Sequence, residues 1–535
     1  MKTFNITIFN FSQMKKKLLI LAGIIMLASC SEDFIDLNPP SNLSSSGFYK
    51  TQVEMNQAVL SVYGDLRSVY NARFIELGEI RSDNTTYSWL PGDPSSQKGI
   101  DWFSSPLLPE NSYSSGTWNE CYRIIMRANM VIGRIDQATF TNETLRTQYK
   151  AEAQFLRALI YFWLNRIYGG YDLSGQLSGV IKVDKEISQV EAYELFRVPL
   201  QEIYDLIVAD LKFAEENLPV SYSSTDKGRA TKGGATALLG KVYMTMAGVP
   251  LNKGTQYYDL AIQKFEEVIN NSRYSLVASY KDLFDVNKKN SAESLFEVQY
   301  KKGSAGGSTG SPWNNSFAPR FSSKEVVLVG DKGAMNSPTG SMSAAYETGD
   351  PRKYVSMRDG WVNSTTGAFE NDRYVCKYYD VATSGSDNGN NWIELRLADI
   401  YLLYAEALVR TNKDKNTALN YLNKIRERAR NTPGDPAIVP PTDLLKDYVL
   451  SDFENDQSLL LAIEKERRVE LAFENHRWFD LVRTGRAKDV IIESQDADGY
   501  PDFVWSDDML SYPIPMTVMQ SNAGKIIQNK GYTQL

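Results

Sequence analysis

Histidine and cysteine are scarce in this chain of 535 residues: His476 stands alone, and the cysteines are Cys30, Cys121 and Cys376. A histidine-based zinc site, an HExxH helix or a Ser-His-Asp triad would have to run through a single imidazole, so most hydrolase and metalloenzyme readings fail at the outset. A basic excess is also missing. With 58 Lys and Arg against 65 Asp and Glu the formal charge is −7, so there is no bulk positive field to track a nucleic acid backbone. What is present, 42% hydrophobic and 23% charged residues, suits a globular body with a large core and excludes general disorder.

The N-terminus reads as an address. Lys15, Lys16 and Lys17 lead into the apolar run Leu18 to Met26, which ends at Leu27-Ala28-Ser29-Cys30. A basic flank, an apolar run too short to span a bilayer as a mature helix, and small residues before a cleavage point predict export. Leu-Ala-Ser-Cys resembles a bacterial lipobox, which implies cleavage before Cys30 and lipidation of that cysteine. Each buried CH₂ of the acyl chains would contribute about 0.8 kcal/mol to anchoring. Met14 opens a complete signal of its own, so an over-extended start across residues 1–13 stays open. The acidic Ser31-Glu32-Asp33 resembles the tag that places lipoproteins on the outer face of the outer membrane in Bacteroidetes. The expected division is a signal at 1–29, a lipid-anchored tether at 30–50 rich in Asn, Pro and Ser, and one body at 51–535. Cys121 and Cys376 lie far apart in sequence and are expected as two isolated buried thiols.

Apolar residues at helical spacing predict helices at about 54–69, 117–137, 146–168, 191–217, 231–247, 256–271, 394–410, 415–430 and 457–482. The stretches 70–116 and 274–392 are rich in Gly, Ser, Asn and Trp, with weak periodicity, and are expected as long irregular loops. Leu239-Gly240-Lys241-Val242-Tyr243 and Ala261-x-x-x-Phe265 reproduce the two helix signatures of a tetratricopeptide unit, with nine extra residues between them. Gly240 and Ala261 would let two helices approach while Tyr243 and Phe265 fill the space beside them. A second pair joins Leu397, Tyr401, Tyr404 and Leu408 to Ala418, Leu422, Ile425 and Ala429. The expected fold is mainly α, a degenerate tetratricopeptide-like helical-repeat scaffold with long irregular loops and minor β. Such arrays present extended surfaces, which favours binding over catalysis.

Near the C-terminus stands Glu466-Arg467-Arg468-Val469-Glu470-Leu471-Ala472-Phe473-Glu474-Asn475-His476-Arg477-Trp478-Phe479-Asp480-Leu481-Val482-Arg483-Thr484-Gly485. Together with Leu395 to Ala407, Tyr512-Pro513-Ile514-Pro515, Gln528 to Tyr532, Asp36-Leu37-Asn38-Pro39 and Ser82-Asp83, it resembles the SusD/RagB-like family, outer-membrane nutrient-binding lipoproteins of Bacteroidetes. The resemblance runs the length of the mature chain. It implies a non-catalytic surface protein that takes no cofactor, binds an oligosaccharide or, less readily, a peptide, and delivers it to a SusC-like TonB-dependent transporter. A reading from another class is a surface glycoside hydrolase with two carboxylates about 5 to 10 Å apart across a cleft, but nothing in the sequence marks such a pair.

The charged run tempts an active-site reading, but the structural one is better. On one helix across 457–482, Arg467 and Glu470 fall at i,i+3 and Glu464 and Arg468 at i,i+4, suited to local pairing; His476 is expected as a packed or surface imidazole. Gly306-Gly307-Ser308-Thr309-Gly310 fits G-x-S-x-G but lies in a Gly/Ser tract, so a loop is expected. Asp496, Asp498 and Asp502 resemble part of a calcium loop without its remaining ligands, so no metal is assigned. Tryptophans in loop-like stretches are more informative, because a large apolar ring there needs a reason. Sugar rings offer C–H faces to an indole and hydroxyl rims to carboxylates, amides or Arg. The expected ligand residues are therefore Trp89, Trp102 and Trp313 as stacking rings, the last on a mobile loop, with Asp83 and Asn84 as polar partners.

Overall fold

The helical array begins where side chains close the first turns. The computed structural model describes residues 48–87, 107–304, 309–330, 332–381, 387–433, 444–497, 504–522 and 524–534. Helix α1 (Gln52–Val69) opens on a capping box between Thr51 and Glu54, and α2 (Ala72–Glu79) follows at once. Helix α3 (Ser112–Arg134) starts five residues before its periodicity suggests, because the Asn111 side chain accepts from the N–H groups of Tyr113 and Ser114. Asn142 caps α4 (Glu143–Tyr168) in the same way.

The expected helix over 191–217 is corrected to α5 (Leu200–Asn217). Residues 197–199 instead pair as a strand with 177–181, and the Arg197 guanidinium donates to the Gly179 carbonyl at 2.7 Å. Residues 189–192 form a short helix of their own, with a capping box from Ser188 and Glu191. Then come α6 (Lys232–Ala247), α7 (Thr255–Ile269), α8 (Leu397–Arg410) and α9 (Lys415–Arg430). From α3 to α9 each helix packs on the next, and α1 covers α3. The architecture is mainly α, with short two- and three-stranded pairings.

The α6/α7 contact shows why the small residues are needed. A Cβ at Gly240 would lie 2.5 Å from Cε1 of Phe265, and Ala261 and Phe265 are wholly buried. The ring fills the groove that the glycine leaves. Irregularity in 274–392 is partial: strand 294–298 pairs antiparallel with strand 392–396, which runs straight into α8. The stretch 70–116 likewise contains α2 and the start of α3.

The expected single helix over 457–482 is two. Helix α10 (Asp456–Glu470) packs on α8, and α11 (Arg477–Arg483) starts after a break in which Phe473 and Asn475 adopt φ of 64° and 65°. A phenylalanine is rarely found in that region, which asparagine enters more readily. The break is held by Glu79, a buried carboxylate that accepts from the Phe473 N–H at 3.0 Å and the Asn475 N–H at 2.9 Å. Close approach of α2 is essential, since a Cβ at Gly78 would meet the Asn475 Oδ1 at 2.1 Å. Cys121 and Cys376 are free thiols, the first buried and the second partly so. Residues 51–535 form one compact unit. Among the described residues no helix is long and apolar enough to cross a membrane.

Truncating Phe265 to Ala should cost about 3–5 kcal/mol, the usual loss for a buried aromatic. Thermal or urea unfolding reads this directly; an unchanged midpoint would contradict the assignment of the α6/α7 groove.

Candidate functional site

The site is reached through charge. The Arg467–Glu470 and Glu464–Arg468 pairs expected along one helix are not the ones that form: these side chains find partners across the break in the run or in distant segments. Arg467 binds Asp399 and Asp480, each at 2.8 Å. Glu470 accepts from Arg396 at 2.6 Å, from Arg352 at 3.0 Å and from Arg428. Glu464 meets Arg477 and Arg486, while Arg468 meets Asp83. Burial alone would push the Glu470 carboxyl up, but Arg428, Arg396 and Arg352 together hold it well below the usual range. His476 is buried, with Nδ1 3.0 Å from the Lys241 Nζ. Burial and the Lys241 charge push its pKa well down, so the neutral ring accepts that hydrogen bond and serves packing.

Asp83 and Asn84 belong to this lattice, which corrects their expected place on a ligand-facing surface. Asp83 is 2% exposed and receives the Arg477 guanidinium through two bonds of 2.8 and 3.0 Å. Burial raises its pKa, but Arg468 and Arg477 overcome that and bring it down to about 2. Asn84 donates to Glu79 at 2.8 Å and accepts from Arg468 at 2.9 Å. These side chains dock the segment that carries the site. Residues 85–86 then pair with 337–338, and Thr339 fastens the turn by donating to the Asp83 carbonyl at 2.8 Å. This delivers Tyr87 to Arg320, whose Nη2 donates to the Tyr87 hydroxyl at 2.7 Å. Trp89 and Trp102 lie outside the described residues, as does part of the Gly306–Gly310 tract. The Asp496–Asp502 side chains fall outside them too.

Trp313 is corrected from a mobile-loop ring to a core residue. It starts a short helix, Trp313–Phe317, and has no exposed surface. Tyr300, Trp392 and Tyr378 enclose it, with centroids at 4.7, 5.2 and 5.6 Å. Such a ring offers no face to a ligand. Trp392 and Trp361 are buried as well.

The exposed ring beside this segment is Phe321, which sequence reasoning missed. It is 55% exposed and has φ of 64°, in the left-handed region. A bulky side chain there costs of order 1–3 kcal/mol and persists only where the surroundings impose it. They do so here: the Ser364 N–H and Oγ both donate to the Phe321 carbonyl at 2.7 Å, and the Ser323 N–H donates to the Val362 carbonyl at 3.0 Å. Residues 361–362 and 369–370 form a hairpin. Trp361 packs inward on Ala318, Val326 and Val327, with Tyr374 against them; Val362 and Phe369 face out, 42% and 63% exposed. Asn363 donates to Glu370 at 3.0 Å on the rim. The result is a shelf with apolar faces and a polar border of Arg320, Asn363, Ser364 and Glu370. Ala318, Val326 and Tyr374 also line a cleft of about 930 Å³ that includes Tyr354, Tyr379 and the Lys302–Asp380 pair at 2.8 Å. Among the described residues no group of three or more His, Cys, Asp or Glu is arranged to hold a metal ion.

With this geometry in place, the comparisons are consistent. The SusD family model matches residues 341–532, and a model described as starch-binding associating with outer membrane matches residues 33–244. A SusD-like protein of Formosa agariphila is 29% identical over 521 residues, 90% of this chain and 93% of that one. A solved SusD homologue of Bacteroides thetaiotaomicron aligns with TM-score 0.75 at 22% identity, covering 92% of this chain and 99% of its own. A solved laminarin-binding SusD-like protein aligns with TM-score 0.71 at 26% identity, covering 90% and 100%. The chain is thus similar to SusD-like proteins over most of its length.

Asp83→Asn should destabilise the protein by about 3–5 kcal/mol, because Arg468 and Arg477 lose their buried counter-charge. In the wild type this carboxylate's folded pKa lies below its unfolded one. Its contribution of about 2 kcal/mol is therefore present above pH ~4 and is lost as pH falls toward 2. A pH series of melting temperatures should show that loss in the wild type and a shallower one in the variant; parallel slopes would contradict the pairing.

Proposed function

We propose that this SusD-like protein is a lipid-anchored cell-surface receptor that binds an oligosaccharide on the Phe321 shelf and hands it, uncleaved, to a SusC-like TonB-dependent transporter. The observation that carries the site assignment is Phe321 itself. An exposed phenyl ring in a strained backbone conformation, fixed by two hydrogen bonds to its own carbonyl, is costly for folding and useful for stacking. Sugar C–H faces pack on such a ring, while Arg320, Asn363 and Glu370 offer donors and acceptors to hydroxyls. The glycan reading is supported by the starch-binding family description and by the laminarin-binding relative. The outer-membrane reading is supported by that same description, and the anchor by the lipobox at Cys30, which lies outside the described residues. The transfer step rests on the family resemblance. The non-catalytic reading draws support from the carboxylates near the shelf, since Glu370 is engaged by Asn363 and Asp359 by Lys353.

Replacing Phe321 by Gly separates binding from folding, because glycine accepts a positive φ without strain. With laminarin as the first probe of a glycan panel, the variant should bind the cognate glycan at least about tenfold more weakly, a loss of about 1.4 kcal/mol. Its melting temperature should be unchanged or higher. Trp313→Ala should do the reverse, costing about 3–5 kcal/mol of stability through its core position. Unaltered affinity in Phe321→Gly would move the site off the shelf. Cleavage products in chromatography of the incubated glycan would favour a hydrolase.

The anchor is tested separately. Cys30→Ser should release the protein from the membrane fraction of a native host, and retention at the wild-type level would refute lipidation at this cysteine.

A further inference from the structure

Away from the shelf, a cavity of about 590 Å³ opens between the end of α4, the start of α5, the end of α6 and α11. Its walls are mainly apolar: Leu200, Tyr204, Val249, Pro250, Phe479 and Val482. This size is ordinary for a small-molecule pocket. One cation in the wall is unusual. The Arg166 guanidinium carbon sits among Phe162, Trp163 and Phe479, 3.9, 4.0 and 4.5 Å from their ring centroids. Its Nε donates to the Phe162 carbonyl at 3.3 Å, Nη2 is closed off from solvent and has no acceptor among the described residues, and no carboxylate among the described residues lies within ion-pair distance.

The other cations of the cavity are already satisfied. Arg483 is bound by Glu406 at 2.7 Å and by Asp480 at 2.8 Å, and Lys530 stands 3.5 Å from Asp508. Burial pulls the Arg166 pKa down to about 10, although Glu394 and Asp480 attract its charge from beyond ion-pair distance; an incoming anion would oppose that shift. Nearby, the Asn165 amide is 2% exposed and makes no hydrogen bond of normal geometry among the described residues, with the Tyr204 hydroxyl beside it. A carboxylate matches a guanidinium by charge and by accepting its N–H. The remaining apolar wall matches a hydrocarbon or aryl body.

We propose that this cavity is a second ligand site, distinct from the shelf, which takes a small amphipathic carboxylate with its head group on Arg166 and its apolar body against Leu200, Val249, Phe479 and Val482. Nothing in this assignment depends on the identity of the glycan. The ligand carries its own counter-charge into the wall, so affinity should follow the carboxylate as well as the hydrocarbon.

The test is calorimetric titration of the full chain with 3-phenylpropionate, beside the neutral isostere 3-phenylpropan-1-ol. The acid should bind saturably with a Kd of about 1 mM or tighter, given its size, and at least about tenfold more tightly than the alcohol. Arg166→Met should remove that preference, and Val482→Trp, which fills the cavity, should abolish binding of both compounds. Absence of saturable binding would overturn the proposal, as would equal affinities for acid and alcohol. If Arg166→Met fails to fold, the acid-to-alcohol ratio and Val482→Trp still decide the matter.

Discussion

Three arginines from three separate segments converge on the carboxylate of Glu470: Arg352 from a short helix, Arg396 from a strand and Arg428 from α9. All four side chains are buried, and Glu293, Glu466 and Glu474 extend the lattice around them. Removing so many charges from water costs several kcal/mol for each ion, so the lattice is weak evidence of net stability. Its effect is selective. An apolar contact tolerates a slip of an ångström, whereas a buried arginine displaced from its carboxylate leaves two uncompensated charges. The non-repeat segments are therefore held to one docking on the helical array.

That docking reaches the surface through a short series of contacts. The lattice seats α10 and the break after it. The break is completed by Glu79 from α2, and Asp83 and Asn84 clamp the next turn to Arg477 and Arg468. Tyr87 then meets Arg320, the neighbour of Phe321. The exposed ring thus stands at the end of a path made of charge pairs and backbone hydrogen bonds. Such a path gives little play, which suits a binding surface whose residues should lose little entropy when a ligand arrives.

The helices were legible because their periodicity and caps are local. The Gly240 and Phe265 pairing was legible for the same reason: the repeat signature encodes close approach in two positions. The break at 471–476 was not, since its cause is a carboxylate nearly four hundred residues away, on α2. The strand at 197–199 merged with the α5 pattern, because Phe196 continues the helical spacing of Leu200, Ile203 and Ile207 although the chain there is extended. In the site, residue type misled in both directions. Asp83 and Asn84 look like sugar-binding groups, yet Asp83 neutralises Arg468 and Arg477 and Asn84 accepts from Arg468, arginines that sequence could not place beside them. Trp313 follows a Gly/Ser tract and looked mobile, but one helical turn carries it into an aromatic cage. Phe321 was overlooked because nothing in Pro319-Arg320-Phe321-Ser322 reveals a positive φ, which arises only when Ser364 is folded against it.

The proposed function requires a rigid lattice that presents a preformed aromatic shelf to a glycan. Hydrogen exchange of the intact protein with and without a saturating cognate glycan tests this most directly. Peptides covering 319–323 and 361–370 should gain protection on binding, while those of α8 to α11 and the lattice should remain slow and unchanged. Protection appearing across α10 and α11, with none at 319–323 or 361–370, would show that the lattice rearranges on binding and that the shelf is not where the ligand sits.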